Sequence, residues 1–159
     1  MIELDASKRF KTLENFPPVN ADASFLDQTF DTNTLLALIE KEQVFVAVDN
    51  TKTAVGFIIV SEKSGCAYIE EVDVLIEHGQ KGLGKALLDR AFSWARERSF
   101  KRVLLSTATN VPWNGPMYAR LGFTPIAEAN WCDEMRSIYA DEKAKGLPVG
   151  DRVFMELLL

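Results

Sequence analysis

The segment His78-Gly79-Gln80-Lys81-Gly82-Leu83-Gly84 constrains this chain more than any other, because of what flanks it. Before it, residues 67–75 (AYIEEVDVL) are rich in β-branched and aromatic residues and predict a strand. After it, Leu83, Ala86, Leu87, Ala91, Trp94 and Ala95 fall close to the i, i+3, i+4, i+7 spacing of an amphipathic helix. Residues 102–107 (RVLLST) then form an apolar run of the kind found in buried, parallel-type strands. Residues 67–107 are therefore expected to make a strand–turn–helix–strand unit with a right-handed crossover. Glycines at the turn permit positive φ and close backbone approach. The first amides of the helix lack internal acceptors and, with the helix dipole, can bind phosphate or pyrophosphate. Lys81 and Lys85 bring positive charge to this turn in a chain of net charge −5.

Two common phosphate-binding patterns do not fit. The dinucleotide pattern G-x-G-x-x-G differs from the order Gly79-x-x-Gly82-x-Gly84, and no acidic residue suited to a ribose ends a following strand. The triphosphate loop needs a Lys-Ser or Lys-Thr pair after its glycines, and none follows here.

Around this unit the pattern is mixed. Residues 44–48 and 54–60 are β-rich runs joined by Asp49-Asn50-Thr51-Lys52-Thr53, and with residues 67–75 they predict an antiparallel meander. A short helix is expected over 7–13, with a break at Pro17-Pro18, and another over 34–42 with Asp31 or Thr32 as caps. Further helices are expected over 114–121, stopped by Gly122, and over 134–144. Residues 123–126 and 152–158 complete the expected strands. The expected fold class is α+β, a single domain over 1–159 with one βαβ unit at the centre of a twisted mixed sheet.

Composition narrows the chemistry. The chain has 159 residues, enough to bury a core without metal or disulfide staples. The acidic balance argues against a nucleic-acid binder, and no apolar run is long enough to span a bilayer. The first sixteen residues lack the apolar core of a signal peptide, so a cytoplasmic location is expected. Cys66 and Cys132 lack metal-ligand spacing, and His78 is the only histidine. No metal is expected, and catalysis would rest on carboxylates, Tyr, Ser or backbone.

The run VDVLIEHGQKGLGKALLDRAFSWA, one strand and then MYARLGF resemble the GNAT superfamily of acyl-CoA N-acyltransferases, over roughly residues 44–125. The family signature is Gln/Arg-x-x-Gly-x-Gly/Ala, whose backbone amides cradle the pyrophosphate of acetyl-CoA. With Gly82 and Gly84 on the motif glycines, the Gln/Arg position falls on Gly79 and Gln80 stands one place late. The asparagine that many members carry seven residues before the tyrosine is Val111 here, with Asn110 adjacent. The usual first strand has no counterpart, since residues 1–13 look like the helix that follows it, which makes a shortened edge or a homodimer plausible.

The resemblance implies a set of site residues. The cosubstrate acetyl-CoA would be held by Gly79, Gln80, Lys81, Gly82, Leu83, Gly84 and Lys85. Its pantetheine arm would lie along the backbone of Val72, Asp73 and Val74, and Asn110 and Asn114 would line the same site. Tyr118 would protonate the departing thiolate or hydrogen-bond its sulfur; otherwise it is a core aromatic. Glu70 or Glu71 would hold a cationic amine and remove its proton. As neighbours on a strand they are expected to face opposite sides of the sheet, with Asp73 on the face of Glu71. The amine would attack the thioester directly in a ternary complex, the oxyanion resting on a central-strand N–H such as that of Val74. Acceptors could be a polyamine, an amino acid, an aminoglycoside-like antibiotic or a protein amine. The rival reading is a non-catalytic acyl-CoA-binding or interaction module. Ser106 stands where some relatives carry a carboxylate base, a task its hydroxyl is too weak for.

Overall fold

The computed structural model describes residues 32–109, 111, 114–144 and 152–159. The expected helix over 7–13 and the Pro17-Pro18 break lie outside them. The elements in chain order are α1 (Thr32–Glu40), β1 (Val44–Val48), β2 (Ala54–Lys63), β3 (Cys66–Val74), a 3₁₀ turn (Ile76–His78) and α2 (Leu83–Glu97). They continue with β4 (Arg102–Ala108), α3 (Asn114–Arg120), β5 (Thr124–Pro125), a 3₁₀ turn (Glu128–Asn130), α4 (Asp133–Ala144) and β6 (Arg152–Leu158). The strands form one six-stranded sheet in the order β1-β2-β3-β4-β6-β5. The meander and the central βαβ unit are as expected. Of the strand expected over 123–126, Thr124 and Pro125 pair with Glu156 and Met155 of β6, and the Ile126 N–H donates to the Phe154 carbonyl at 2.8 Å.

Local chemistry explains the two hairpins. Asp49 Oδ1 accepts hydrogen bonds from the Thr51 N–H at 2.8 Å and the Thr53 N–H at 2.9 Å, closing the β1–β2 turn. Between β2 and β3, Ser64 and Gly65 both take positive φ, 50° and 68°. That is the signature of a two-residue type I′ turn, whose twist matches that of paired strands.

Two apolar layers cover the sheet. On one face α2 buries Leu87, Leu88, Ala91, Phe92, Trp94 and Ala95 against Ile58, Val60, Ala67, Ile69, Val103 and Leu105. The buried stripe of α2 differs from the expected one: Leu83 is half-buried and Ala86 exposed, while Leu88 and Phe92 are buried. Phe92 and Tyr118 both meet the Phe123 ring, at centroid distances of 6.0 and 5.7 Å, so this side of α2 is covered by α3 and the chain after it. On the other face Met135, Ile138 and Tyr139 of α4 pack with Cys66, Tyr68, Leu104 and Phe154.

The centre of the sheet does not stay closed. Parallel pairing of β3 with β4 runs over Ala67↔Val103, Tyr68↔Leu104 and Ile69↔Leu105, and then ends. Beyond it, β3 continues to Val74 beside β2, while β4 continues to Ala108 beside β6. The two strands therefore part at their carboxyl ends, where open α/β sheets place their ligand crevices.

Candidate active site

Two structures meet at this parting: the glycine turn after β3, and a polar cluster on the α4 face. In the turn, the His78 and Gly79 N–H groups donate to the carbonyls of Leu75 and Ile76, giving the 3₁₀ turn. Gln80 then takes φ 59° and Gly82 φ 80°. Gly82 caps α2 from the left-handed region with no side-chain cap, and its carbonyl accepts the first helical bond, from Ala86 at 3.0 Å. That leaves the N–H groups of Leu83, Gly84 and Lys85 without internal acceptors, at the positive end of a 15-residue helix with no acidic residue in its first turn. A Cβ built on Gly84 would meet nothing within 4 Å, so open space lies above these amides. Gly79 has φ −62°, so the left-handed positions fall on Gln80 and Gly82. The Lys81 ammonium donates to the Glu77 carbonyl at 2.9 Å, and that of Lys85 pairs with Asp89 at 2.6 Å. His78 is half-buried.

Beside this turn a groove of about 140 Å³ runs between α2 and α3. Leu88, Met117 and Leu121 supply its apolar walls, and Lys85 and Arg120 its positive charge.

On β3, a break in the pairing with β2 decides which carboxylate faces what. Glu71 pairs with Ile59 and Ile69 with Val60, so Glu70 is the extra residue of a β-bulge. Directly paired residues share a face, which puts Glu71 with Ile59, and Tyr68 with Ser61. Ile59 and Ser61 lie two apart on one strand and so on one face, away from the core under α2. The Glu70 carboxylate accepts a hydrogen bond from the Ser61 hydroxyl at 2.5 Å and pairs with Lys63 at 2.7 Å, both on that face. The expectation that Glu70 and Glu71 face opposite sides is therefore wrong. The bulge interrupts alternation, and Glu70, Glu71 and Asp73 all lie on the α4 face. Val72 and Val74 pack against the core under α2, as their apolar side chains require. The β4-facing backbone groups of residues 70–74 have no strand partner among the described residues.

Tyr118, on α3, is 8 % exposed and packed edge-on against Phe123. Burial, and then the charge of Asp73, push its hydroxyl up to about 12. Asn114 ties the start of α3 to β4, its Nδ2 donating to Thr107 Oγ1 at 3.1 Å. Asn110 lies outside the described residues.

Tyr68, Glu142 and Arg152 were not legible as site residues. Arg152 Nε donates to Glu142 Oε2 at 2.9 Å and to Ser106 Oγ at 3.1 Å, and its Nη2 donates to the Ser106 carbonyl at 3.1 Å. The Ser106 hydroxyl donates to Glu142 at 3.1 Å. Glu142 of α4 thus brings a carboxylate to Ser106 and Arg152. Tyr68, 4 % exposed, holds its proton above the ordinary tyrosine range, chiefly through burial and secondarily through the charges of Glu142 and Glu70. The only sequence signal for this cluster was the polar Ser106 in an apolar strand.

A meander thus leads into a βαβ unit whose parallel strands part beside a glycine turn. The family model described as acetyltransferase (GNAT) family matches residues 8–123. The chain belongs to that family and is an acyltransferase by class. The PaiA N-acetyltransferase of Thermoplasma acidophilum, solved in complex with coenzyme A, is 17% identical over 99% of this chain and 90% of that one, with a TM-score of 0.69. A candidate streptothricin acetyltransferase from Bacillus anthracis str. Ames, in complex with acetyl coenzyme A, is 21% identical over 84% and 71%, with a TM-score of 0.63. A ribosomal-protein alanine N-acetyltransferase from Escherichia coli is 18% identical over 82% and 78%, with a TM-score of 0.59. At these identities the likeness is one of fold.

Proposed function

We propose that this protein transfers the acetyl group of acetyl-CoA to a primary amine by direct attack in a ternary complex. The observation that carries this reading is the coincidence, at one end of the sheet, of the parting of β3 from β4 beyond Ile69 and Leu105 with the open amides of Leu83, Gly84 and Lys85. The amides suit a pyrophosphate, and the space above Gly84 is what such a group needs. An extended amide-bearing arm can complete β3 as an added strand along residues 70–74. The groove lined by Leu88, Met117 and Arg120 suits the nucleotide end.

At the reacting centre, the amine forms the new C–N bond and the C–S bond of the thioester breaks. Glu71 and Asp73 hold the incoming ammonium, and one of them, directly or through water, takes its proton. For Glu70 to do so it would have to give up Ser61 and Lys63. Tyr118 remains protonated at neutral pH. Full transfer from a phenol near 12 to an ordinary thiolate near 8.5 would be about 5 kcal/mol uphill, so its role is to donate a hydrogen bond to the departing sulfur. The test is acetyl-CoA consumption against a panel of amines. Turnover of at least one primary amine supports the reading; acetyl-CoA binding without any turnover returns the non-catalytic module.

A further inference from the structure

The network around Arg152 does more than tie α4 to the sheet. Arg152 lies opposite Ala108 at the end of β4, and Ser106 is the first residue beyond the last β3–β4 pair. Both therefore border the parting. The side chains of Arg152 and Glu142 are 18% and 13% exposed. A pair so nearly buried gains little over apolar packing, so stability alone does not account for it. Three hydrogen bonds from Nε and Nη2 fix the plane of the guanidinium, and they leave Nη1 without a partner among the described residues. The Arg152 charge acts on both Tyr68 and Tyr118, so it is felt on both faces of the opening. Across the parting, the β3 side carries Glu71 and Asp73 on the face that Arg152 shares through Ser106 and Glu142. A molecule entering there meets carboxylates on one side and a preorientated guanidinium fork on the other.

Resting on the acetyltransferase reading of this site, we propose that the free edge of Arg152, held by Glu142 and Ser106, binds a carboxylate on the acceptor. The acceptor is then an amino-acid-like zwitterion, with its ammonium toward Glu71 and Asp73, rather than a plain amine or polyamine. A planar guanidinium is the side chain best matched to a carboxylate, through paired N–H donors. The geometry makes Arg152 a specificity-determining residue and Glu142 the residue that positions it.

The test uses the full chain, with acetyl-CoA consumption measured for common α-amino acids, each beside the matched amine that lacks the carboxylate. The expected preference for the amino acid is about 10- to 100-fold in kcat/KM, the worth of one charge-assisted contact. Arg152→Gln should erase that preference through KM, and Arg152→Lys should restore part of it. A merely structural role would lower both members of every pair alike, and that result counts against the proposal. Equal or better turnover of the carboxylate-free amines by the parent would overturn it whatever the variants do. So would failure to acetylate any amino acid while acetyl-CoA still raises Tm. If acetyl-CoA does not raise Tm at all, the acetyltransferase reading falls as well.

Discussion

The two sides of the parting are built by different means. The glycine turn is made of consecutive residues, and its working groups are backbone amides presented by Gly82 and the first turn of α2. The opposite side is made of side chains from β3, β4, α4 and β6: Glu71, Ser106, Glu142 and Arg152. A backbone site requires only that each residue adopt its φ and ψ, and glycine is the means of adopting unusual ones. A side-chain site requires that remote elements arrive in register. The first kind is robust to neighbouring substitutions and fragile at its glycines. The second spreads its dependence over many contacts, and it is where enzymes of one fold can diverge in what they accept.

The strongest way to break this contrast is at Gly82. Gly82→Pro removes an amide and forbids φ 80°, and Gly84→Val fills the open space above the helix amides. At acetyl-CoA one hundredfold above Kd, the parent should gain about 2.7 kcal/mol, a Tm rise of about 5–10 °C. Both variants should lose that rise completely. Gly65, also left-handed at φ 68° but in the distant β2–β3 turn, is the control. Gly65→Ala should lower Tm and leave the acetyl-CoA rise intact. An unchanged rise in the Gly82 variant would remove the turn from the site.

Next in size are the residues at the reacting centre. Tyr118→Phe keeps the ring against Phe123 and removes the donor, so kcat should fall about 100-fold with little change in acetyl-CoA affinity. Glu71→Gln should cost a similar factor in kcat/KM for the acceptor, since proton removal is typically worth about 10²-fold or more. Steady-state kinetics under conditions where chemistry limits the rate would decide both. Parental turnover in Tyr118→Phe would return Tyr118 to the core.

The same contrast explains what the sequence made legible. The strand–turn–helix–strand unit, the meander and the fold class were readable because each depends on local periodicity and turn chemistry. Even so, the tilt of the stripe on α2 was misplaced, because Leu88 and Phe92 are buried by α3 and Phe123, elements that the helix's own pattern does not contain. The face of Glu70 was misjudged for a related reason. A bulge is set by cross-strand pairing with β2, and no residue of IEEVD announces it. Arg152 and Glu142 were invisible as a pair because they lie ten positions apart, on two different elements.

A smaller effect separates Tyr118 as a buried phenol from the exposed glycine turn. Folded, its proton is held to about pH 12; unfolded, only to about 10. Its contribution to stability is complete below pH 10. It is lost as pH rises through 10 toward 12, because the unfolded chain ionises first. By pH 11 the loss from Tyr118 should be about 1 kcal/mol. Tyr68, shifted in the same direction, adds to the alkaline loss. Denaturant titrations at pH 9 and pH 11 should show a smaller alkaline loss in Tyr118→Phe than in the parent. Identical losses would mean that the hydroxyl is solvated in the folded chain.

The smallest expected effect lies at Glu70, and it sharpens the comparison because Glu70 and Glu71 are adjacent and share a face. Both oxygens of Glu70 are engaged, one by the Ser61 hydroxyl and both by the Lys63 ammonium. Its carboxylate therefore stabilises the β2–β3 pair rather than awaiting a ligand. Glu70→Gln keeps an oxygen for Ser61 and loses only the ion pair. Partly exposed pairs of this kind contribute at most about 1 kcal/mol, so Tm should drop by no more than about 4 °C. Turnover should stay close to parental, whereas the neighbouring Glu71→Gln loses most of it. Measuring both variants with one acceptor gives the decisive ratio. If Glu70→Gln proves the more damaging in kcat/KM at unchanged acetyl-CoA affinity, the bulged residue is the base, and Lys63 must release it when the acceptor binds.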